Sequence, residues 1–424
     1  MRANLSLGQI RGDLRTGVPL LRLTRWSMAL TVAAAPLYVL RWRVGPIPTT
    51  LLETLILLTV GMYAITLIIE RAPLPRRTGL EVPIALFLVA GAVAVFAAPD
   101  HRGALGIYRA YLLEPVALYY VAVAILDSTA VVESWLAVWA VGAIVFSGVE
   151  ILTVVYAVVT HSLNPGHAVA ALGINPNSVA IYLEPVIAIA AGFALFGESH
   201  HRKAAIATLA IVLVAELATL SRGGLVSLAA LVGIAIVTAA NLRLRLAMIG
   251  ASAVGVLAVL ALPIISTRVE DTTSPTYGTL ENRGRIWAAT FRMLHDHPVL
   301  GAGLNAYQST MAPYRLADRN LRPEPYPHNI FLTTWSELGL LGLVAFTWLF
   351  AMLLIAPWRA LSRSSGIYKP ILWGTGTAFA MLLVHGLVDS PYWKNDLSVE
   401  FWVLAALEAF ALVSVSLQQR RPAA

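Results

Sequence analysis

Long apolar stretches recur along the chain and alternate with short polar segments. Each stretch is close to or above the roughly 18 to 20 residues that a helix needs to cross a bilayer. The pattern predicts about twelve transmembrane helices. The predicted segments are residues 26–40, 47–69, 80–98, 110–126, 132–158, 178–197, 204–221, 223–240, 246–266, 329–356, 370–390 and 397–417.

The composition agrees with this pattern. The chain is 58% hydrophobic and 12% charged, with a mean hydropathy of +0.74, far from the usage of soluble domains. We therefore expect an all-α polytopic membrane protein that forms one integral membrane domain over residues 1–424. The basic N-terminal segment precedes an apolar run without a small-residue cleavage site, so we expect a retained first helix.

One segment breaks the apolar pattern, at residues 267–327 between predicted helices nine and ten. Within it, 280–297 has the period of an amphipathic helix that Pro298 would stop. Gly301 and Gly303 then predict a tight turn, and the closely spaced prolines that follow favour an extended chain. The segment is rich in arginine: Arg268, Arg283, Arg285, Arg292, Arg315, Arg319 and Arg322.

Basic residues of the short loops predict the orientation of the bundle. Lys and Arg favour the cytoplasmic side, and most of them fall on the side that also holds both termini. The 267–327 loop then lies outside, because long loops are translocated largely regardless of charge. We expect a multi-pass protein of the cytoplasmic membrane with cytoplasmic N- and C-termini. The short-loop residues on the cytoplasmic side include Arg76, Arg77, Arg202, Lys203, Arg243, Arg245, Arg359 and Arg363.

The net charge of +7 does not call for a nucleic acid partner. Topology and contact with anionic membrane lipids account for the excess of cytoplasmic basic residues. The chain has no cysteine, which excludes disulfides, thiolate nucleophiles and cysteine-ligated metals.

Several strings in a fixed order resemble one known family. They are SRGG at 221–224, ENRGRIW at 281–287, HDHPVLGAGLNAY at 295–307 and PHNIFLTTWSELGLLGL at 327–343, with INPNSVAIYLEP at 174–185 and HGLVDSPYW at 385–393. Together they closely resemble the bacterial O-antigen ligase and O-antigen polymerase superfamily. The similarity runs from roughly residue 100 to the end of the chain.

The resemblance implies a GT-C-like, metal-independent glycosyltransferase without a cofactor. Such an enzyme moves a glycan from undecaprenyl pyrophosphate to an acceptor hydroxyl on the outer face of the cytoplasmic membrane. The acceptor is lipid A core, another glycan or another hydroxyl compound. The resemblance also implies that Arg222, together with Arg285 or Arg283, binds the pyrophosphate and that His328 is catalytic.

The residues themselves fit pyrophosphate chemistry. A pyrophosphate leaving group gains charge as the glycosidic bond breaks, and either Mg²⁺ or fixed cations can stabilise it. We find no external carboxylate cluster and no Asp-x-Asp sequence, so arginine is the natural counter-charge. We expect Gly223 and Gly224 to let a ligand approach Arg222 closely. A snorkelling anchor at the interface is the alternative for Arg222.

His328 and Asn329 stand where a predicted helix begins. The positive end of the helix dipole is expected to lower the pKa of His328 and to favour the neutral imidazole that a general base requires. A helix-capping or core histidine is the alternative. His385 and Asp389 are four residues apart and form either a buried pair or part of the acceptor side. Glu114 is a further candidate, because it lies within an apolar run.

Two questions stay open at the level of sequence. Ligase and polymerase differ only in the acceptor, and a protein hydroxyl is a further possible acceptor. From a different class, a transporter or flippase of a lipid-linked glycan would also be polytopic. A transporter usually gathers its polar groups at mid-membrane, whereas the basic groups here gather at the outer ends and in one loop.

Overall fold

The computed structural model describes residues 19–162, 169–239, 241–260, 279–316, 321 and 323–419, with the backbone alone at 255–260, 279 and 280. Helices dominate these residues. They are α1 Pro19–Ala33, α2 Leu51–Ile69, α3 Glu81–Ala97, α4 His101–Ile107, α5 Glu114–Ile125, α6 Thr129–Val159, α7 Pro176–Phe196, α8 Ser199–Ala218, α9 Arg222–Thr238, α10 Leu242–Leu260, α11 Thr279–Asp296, α12 Tyr307–Thr310, α13 Ala312–Leu316, α14 Ile330–Leu361, α15 Tyr368–Gly386 and α16 Asn395–Gln419. Short 3₁₀ helices lie at Ala35–Val39 and Ala171–Gly173.

Among the described residues, five helices are long and apolar enough to cross a membrane: α2, α6, α7, α14 and α16. Helices α3 and α9 are apolar but shorter. The all-α, multi-pass membrane class is therefore confirmed. A helix lies at each of the predicted segments, and the count of twelve spans stays a prediction.

Burial divides the bundle into central and peripheral helices. The most apolar windows of α7 and α16 are each 83% buried inside the protein, whereas that of α6 is only 28% buried. Large apolar side chains of α6, among them Val141 and Leu152, remain exposed on the protein surface. In a membrane protein such a surface faces lipid, so α6 lies at the periphery and α7 and α16 lie in the core.

The first part of the chain departs from the predicted boundaries. Strands β1 Arg41–Val44 and β2 Ile47–Thr50 form an antiparallel hairpin with Val44 opposite Ile47. The predicted span 47–69 is therefore wrong in its first four residues, and helix α2 begins at Leu51, capped by the Thr50 side chain. A π-helical segment, Tyr108–Leu113, joins α4 to α5. The continuous helical stretch therefore begins at His101, before residue 110, where the predicted span begins.

Helix α14 contains a break that the apolar pattern does not predict. Gly339 has φ +68° and ψ −172°, values outside the helical region that a residue with a Cβ rarely adopts. A Cβ there would also collide with the backbone of Val299 and Leu300. The break allows the loop to bond to the helix, and the backbone N–H of Leu340 donates to the Val299 carbonyl at 2.8 Å.

The described part of the 267–327 loop has a hydrophobic core of its own. Helix α11 confirms the amphipathic helix predicted at 280–297, and positive φ angles at Gly301 and Gly303 confirm the turn. Ile286 and Met293 of α11 are buried against Tyr307 and Met311. The Thr290 and Tyr307 hydroxyls form a 2.8 Å hydrogen bond inside this core. This packing fixes the helix that carries Arg283, Arg285 and Arg292. Arg268, Arg319 and Arg322 lie outside the described residues.

Candidate active site

Several helices begin at one end of the bundle, and their first residues contact one another. Asn177, in the first turn of α7, donates to Asp389 Oδ2 at 2.9 Å and accepts from the Ser221 hydroxyl at 3.0 Å. Ser221 is the N-cap of α9. Asn329, the N-cap of α14, donates to the Leu387 carbonyl at 3.1 Å. Helix N-termini carry unpaired N–H groups and the positive ends of helix dipoles, so this end of the bundle favours an anion.

His328 lies in the loop that enters α14 and contacts two carboxylates. Its Nδ1 lies 3.2 Å from Asp389 Oδ1, and its Nε2 lies 3.3 Å from Glu324 Oε2. The backbone of His328 has φ +54°, an uncommon conformation for a residue other than glycine. Such conformations cluster at functional sites, where the surrounding contacts hold them. His328 does not cap the helix, because Asn329 Oδ1 accepts from the backbone N–H groups of Phe331 and Leu332.

The expected neutral state of His328 is wrong for this structure. Burial alone lowers the pKa of His328, but the hydrogen bonds with Asp389 and Glu324 outweigh burial and raise the pKa to about 9. Burial raises the pKa of Asp389, yet the hydrogen bond and charge of His328, with the charges of His385 and Arg283, bring it well below its ordinary value. The resting site therefore holds an imidazolium between two carboxylates.

Among the loop arginines that the structure describes, Arg283 contacts His328 and Asp389. Its Nη1 donates to the His328 carbonyl at 3.3 Å, and its Nη2 lies 3.9 Å from Asp389 Oδ2. Burial lowers the pKa of Arg283, Asp389 raises it and the positive charge of Arg222 lowers it further. Arg222 is the first residue of α9, and it is near enough for its charge to act on Arg283. An anion between them would relieve their repulsion.

Arg285 has a different partner. Its guanidinium forms a 2.6 Å ion pair with Glu281, one turn earlier on α11. Residues two apart on a helix point to different sides, so Arg283 and Arg285 cannot both face His328. The geometry favours Arg283 as the loop arginine of the site. A phosphate role for Arg285 stays a prediction.

The two glycines after Arg222 accommodate protein side chains. A Cβ on Gly223 would overlap the imidazole of His385, and one on Gly224 would overlap the carboxyl of Glu216. The expectation that Gly223 and Gly224 make room for a ligand is therefore wrong. They let α9 pack closely against α15 and α8, and this packing positions Arg222 at the start of α9.

His385 and Asp389 have separate partners. His385 is fully buried, and its Nδ1 lies 2.5 Å from Glu184 Oε1, which also accepts from the Ser227 hydroxyl. The backbone N–H of Asp389 still donates to the His385 carbonyl at 2.9 Å, as in a helical turn. The Asp389 side chain, however, bonds His328 and Asn177. The alternative in which the two side chains form one buried pair is therefore wrong. His385 packs beneath the start of α9, against Gly223, whereas Asp389 contacts His328 in the site.

Glu114 belongs to another polar cluster. Its carboxylate lies 3.4 Å from Arg109 Nη1, and Arg109 also contacts Glu53 at 2.9 Å. Glu53 in turn accepts from Asn395 at 2.9 Å. Among the described residues, the side-chain contacts of this cluster involve Glu114, Arg109, Glu53 and Asn395, and none of them contacts His328.

Two further residues of the site were not singled out as site residues from the sequence. Asn177 lies within the INPNSVAIYLEP string, so the resemblance pointed to its neighbourhood but gave it no role. Glu324 lies in the proline-rich part of the loop, and its carboxylate contacts His328 Nε2 at 3.3 Å. Across the part of the chain that the structure describes, no group of three His, Asp or Glu side chains is arranged to hold a metal ion.

The comparison with known families agrees with the motifs. Residues 205–347, about a third of the chain, match the family described as O-antigen ligase. This range contains Arg222, α11 and His328, and the match confirms the resemblance to the O-antigen ligase and polymerase superfamily. It supports a glycosyltransferase-like function with a lipid-linked glycan and an acceptor as substrates. No curated protein matches the chain.

Proposed function

Because residues 205–347 match the O-antigen ligase family, we propose that this protein transfers a glycan from undecaprenyl pyrophosphate to an acceptor hydroxyl. The observation that supports this most is the meeting of His328, Asp389 and Arg283 at the N-terminal ends of α7, α9 and α14. Anion-binding groups and an acid–base group lie together there. Glycosyl transfer from a pyrophosphate needs both.

The donor pyrophosphate binds between Arg222 and Arg283. Each guanidinium offers a planar pair of donors that matches two phosphate oxygens. The charges stabilise the pyrophosphate most when the glycosidic bond breaks, because its negative charge is then greatest. The ends of α9 and α14 add partial positive charge at the same place.

His328 removes the proton from the acceptor. The acceptor oxygen attacks C1 of the donor sugar, the bond from C1 to the pyrophosphate oxygen breaks, and its electron pair leaves with undecaprenyl pyrophosphate. The acceptor proton passes to Nε2 of His328 and from there to water. Asp389 bonds Nδ1 and thereby fixes the ring with Nε2 toward the acceptor.

The resting imidazolium must first lose a proton. With a pKa of about 9, the neutral form is a small minority at neutral pH. An acceptor hydroxyl that takes the place of Glu324 at Nε2 removes one of the two carboxylate bonds that favour the imidazolium. Acceptor binding therefore brings the histidine closer to its basic form.

The proposed location is the cytoplasmic membrane, with the site at its outer face and both termini in the cytoplasm. Lipid-linked donors reach such a site laterally through the bilayer. A flippase would instead be expected to hold its main charged groups at mid-membrane. Here Arg222, Arg283 and His328 lie at the ends of helices or in the loop.

Deletion of the gene, followed by analysis of surface glycans and lipid-linked intermediates, tests the proposal. Loss of a surface glycan together with an accumulated lipid-linked donor is the expected result. Accumulated single repeats would identify a polymerase, and full-length unattached chains would identify a ligase. Unchanged glycans and intermediates would reject the proposal.

A further inference from the structure

A cavity of about 210 Å³ lies inside the described part of the loop. Its walls include Ile286 and Tyr307 from the loop core, and Gln308, Arg315 and Glu324. The cavity is thus partly apolar and partly lined by hydrogen-bonding side chains. It is smaller than the roughly 300 Å³ at which pockets for drug-sized ligands begin. A single ring is the largest unit that it suits.

Glu324 joins the cavity to His328. Glu324 is one of the residues that line the cavity, and its Oε2 lies 3.3 Å from His328 Nε2. The other ring nitrogen faces Asp389, which lies beside Arg283. The two edges of the imidazole therefore face different surroundings. Asp389 and Arg283 lie on the Nδ1 side, and Glu324 and the cavity lie on the Nε2 side.

The chemistry of the walls fits a sugar ring. A sugar has apolar C–H faces and a rim of hydroxyl groups, so it needs an apolar surface together with donors and acceptors. The Tyr307 hydroxyl is engaged with Thr290 at 2.8 Å, which holds the tyrosine ring in place as part of the apolar wall. Gln308 offers both a donor and an acceptor, Arg315 offers donors, and Glu324 accepts. With Arg315 and Glu324, the lining carries one charge of each sign, which does not favour a highly charged anion such as pyrophosphate.

We propose that this cavity is the acceptor subsite and that it binds the terminal sugar ring of the acceptor glycan, with the reacting hydroxyl toward Glu324 and His328. The proposal rests on the proposed transfer reaction and extends it, because it places the acceptor opposite the arginine-bound pyrophosphate across the imidazole. It also makes the acceptor a carbohydrate in this protein.

The absence of native cysteine allows a direct binding test. Gln308 and its neighbour Ser309 are both exposed, but only Gln308 lines the cavity. Gln308→Cys and Ser309→Cys would each be labelled with a maleimide in the purified full-length protein. The probes are the methyl glycosides of glucose, galactose, mannose and rhamnose, and oligosaccharides released from the host's own envelope polysaccharide.

At least one of these carbohydrates should slow the labelling of Gln308→Cys by about twofold when its concentration equals Kd, and more above it. The labelling of Ser309→Cys should not change. Equal protection at both positions, or no protection by any carbohydrate, would overturn the proposal. Inorganic pyrophosphate is the control probe, and selective protection of Gln308→Cys by it would assign the cavity to the donor and overturn the proposal.

A second pair of variants tests the same cavity in cells. Gln308→Trp fills the cavity from an exposed wall position, whereas Ser309→Trp adds the same bulk beside it. We expect Gln308→Trp to reduce surface glycan by about tenfold or more and to cause the lipid-linked donor to accumulate. Ser309→Trp should leave the levels of surface glycan and donor as in the wild type. Normal glycan with Gln308→Trp would contradict the subsite. The proposed function is tested separately, since normal glycans in the deletion strain would reject it. The labelling experiment measures carbohydrate binding and does not depend on transfer.

Discussion

His328 and Asp389 are 61 residues apart in sequence, yet their side chains lie 3.2 Å apart where α14 begins and α15 has ended. Asp389 is held in turn by the Asn177 amide and by the backbone N–H of Ser390, each at 2.9 Å. Three separate parts of the chain thus fix one imidazole. A histidine held in this way has a defined orientation, which an acid–base group requires.

The first prediction concerns the loop arginines. Arg283→Lys keeps a positive charge but loses the planar fork, so glycan transfer should fall by about tenfold or more. Arg292→Lys, at an exposed position on the same helix α11, should be near wild type. Transfer from a purified lipid-linked donor is the measurement. Because Arg285 pairs with Glu281, Arg285→Lys should cost less than Arg283→Lys. The reverse order would move the phosphate site to the Arg285 side of α11.

The second prediction concerns pH. The pKa of His328 is raised to about 9, so the neutral base increases as pH rises. We expect kcat/KM for transfer to rise with pH between about 6 and 9 and then to level off. Glu324→Gln removes one carboxylate that favours the imidazolium, so it should move the rising limb to lower pH. A flat profile over this range, or a limb that Glu324→Gln leaves in place, would count against His328 as the base.

The third prediction concerns the packing beneath Arg222. A Cβ at Gly223 would overlap the His385 imidazole, whereas one at Gly233, on the same helix α9, meets no atom within 4 Å. Gly223→Ala should therefore destabilise the protein by about 1–3 kcal/mol, the usual cost of overpacking. Gly233→Ala should be neutral or slightly stabilising. Thermal unfolding of the two variants in detergent measures the difference. Similar midpoints would show that His385 does not pack against Gly223.

The fourth prediction concerns orientation. Ser309 in the loop and Ser199 at the start of α8 are both exposed. In intact cells a membrane-impermeant maleimide should label Ser309→Cys and should leave Ser199→Cys unlabelled until the membrane is permeabilised. The opposite pattern would invert the bundle and would place the His328 site in the cytoplasm.

The helical framework was largely predictable from the sequence, because a bilayer demands long apolar runs. Helix α11 could also be predicted within a residue or so, since its apolar spacing and the following Pro298 are local signals. The hairpin at residues 41–50 was missed, because two strands of four residues resemble the ends of apolar runs. The break at Gly339 was missed because it depends on a contact that local sequence does not show. The backbone of Val299 that occupies the break comes from a distant part of the chain.

The site was predictable in its residue types and less so in its pairing. The motif order gave Arg222, His328 and the arginines of α11, but only the folded chain selects Arg283 over Arg285. The expected neutral state of His328 was wrong because the effect of the helix dipole on its pKa is too small. A helix terminus contributes about 0.3–1 kcal/mol, less than the roughly 1.4 kcal/mol of one pKa unit. Two hydrogen-bonded carboxylates outweigh it, and the partner Glu324 comes from a proline-rich segment whose path depends on tertiary contacts.

The most direct test of the central role of His328 is the rate of glycan transfer by His328→Asn. Among residues with a Cβ, asparagine tolerates a positive φ well, so this replacement preserves the backbone. It can form hydrogen bonds but cannot take up a proton at neutral pH. With donor binding and thermal stability retained, transfer from the lipid-linked donor should fall by about 10²- to 10⁴-fold. Transfer at near wild-type rate would contradict the account and would make His328 a structural residue.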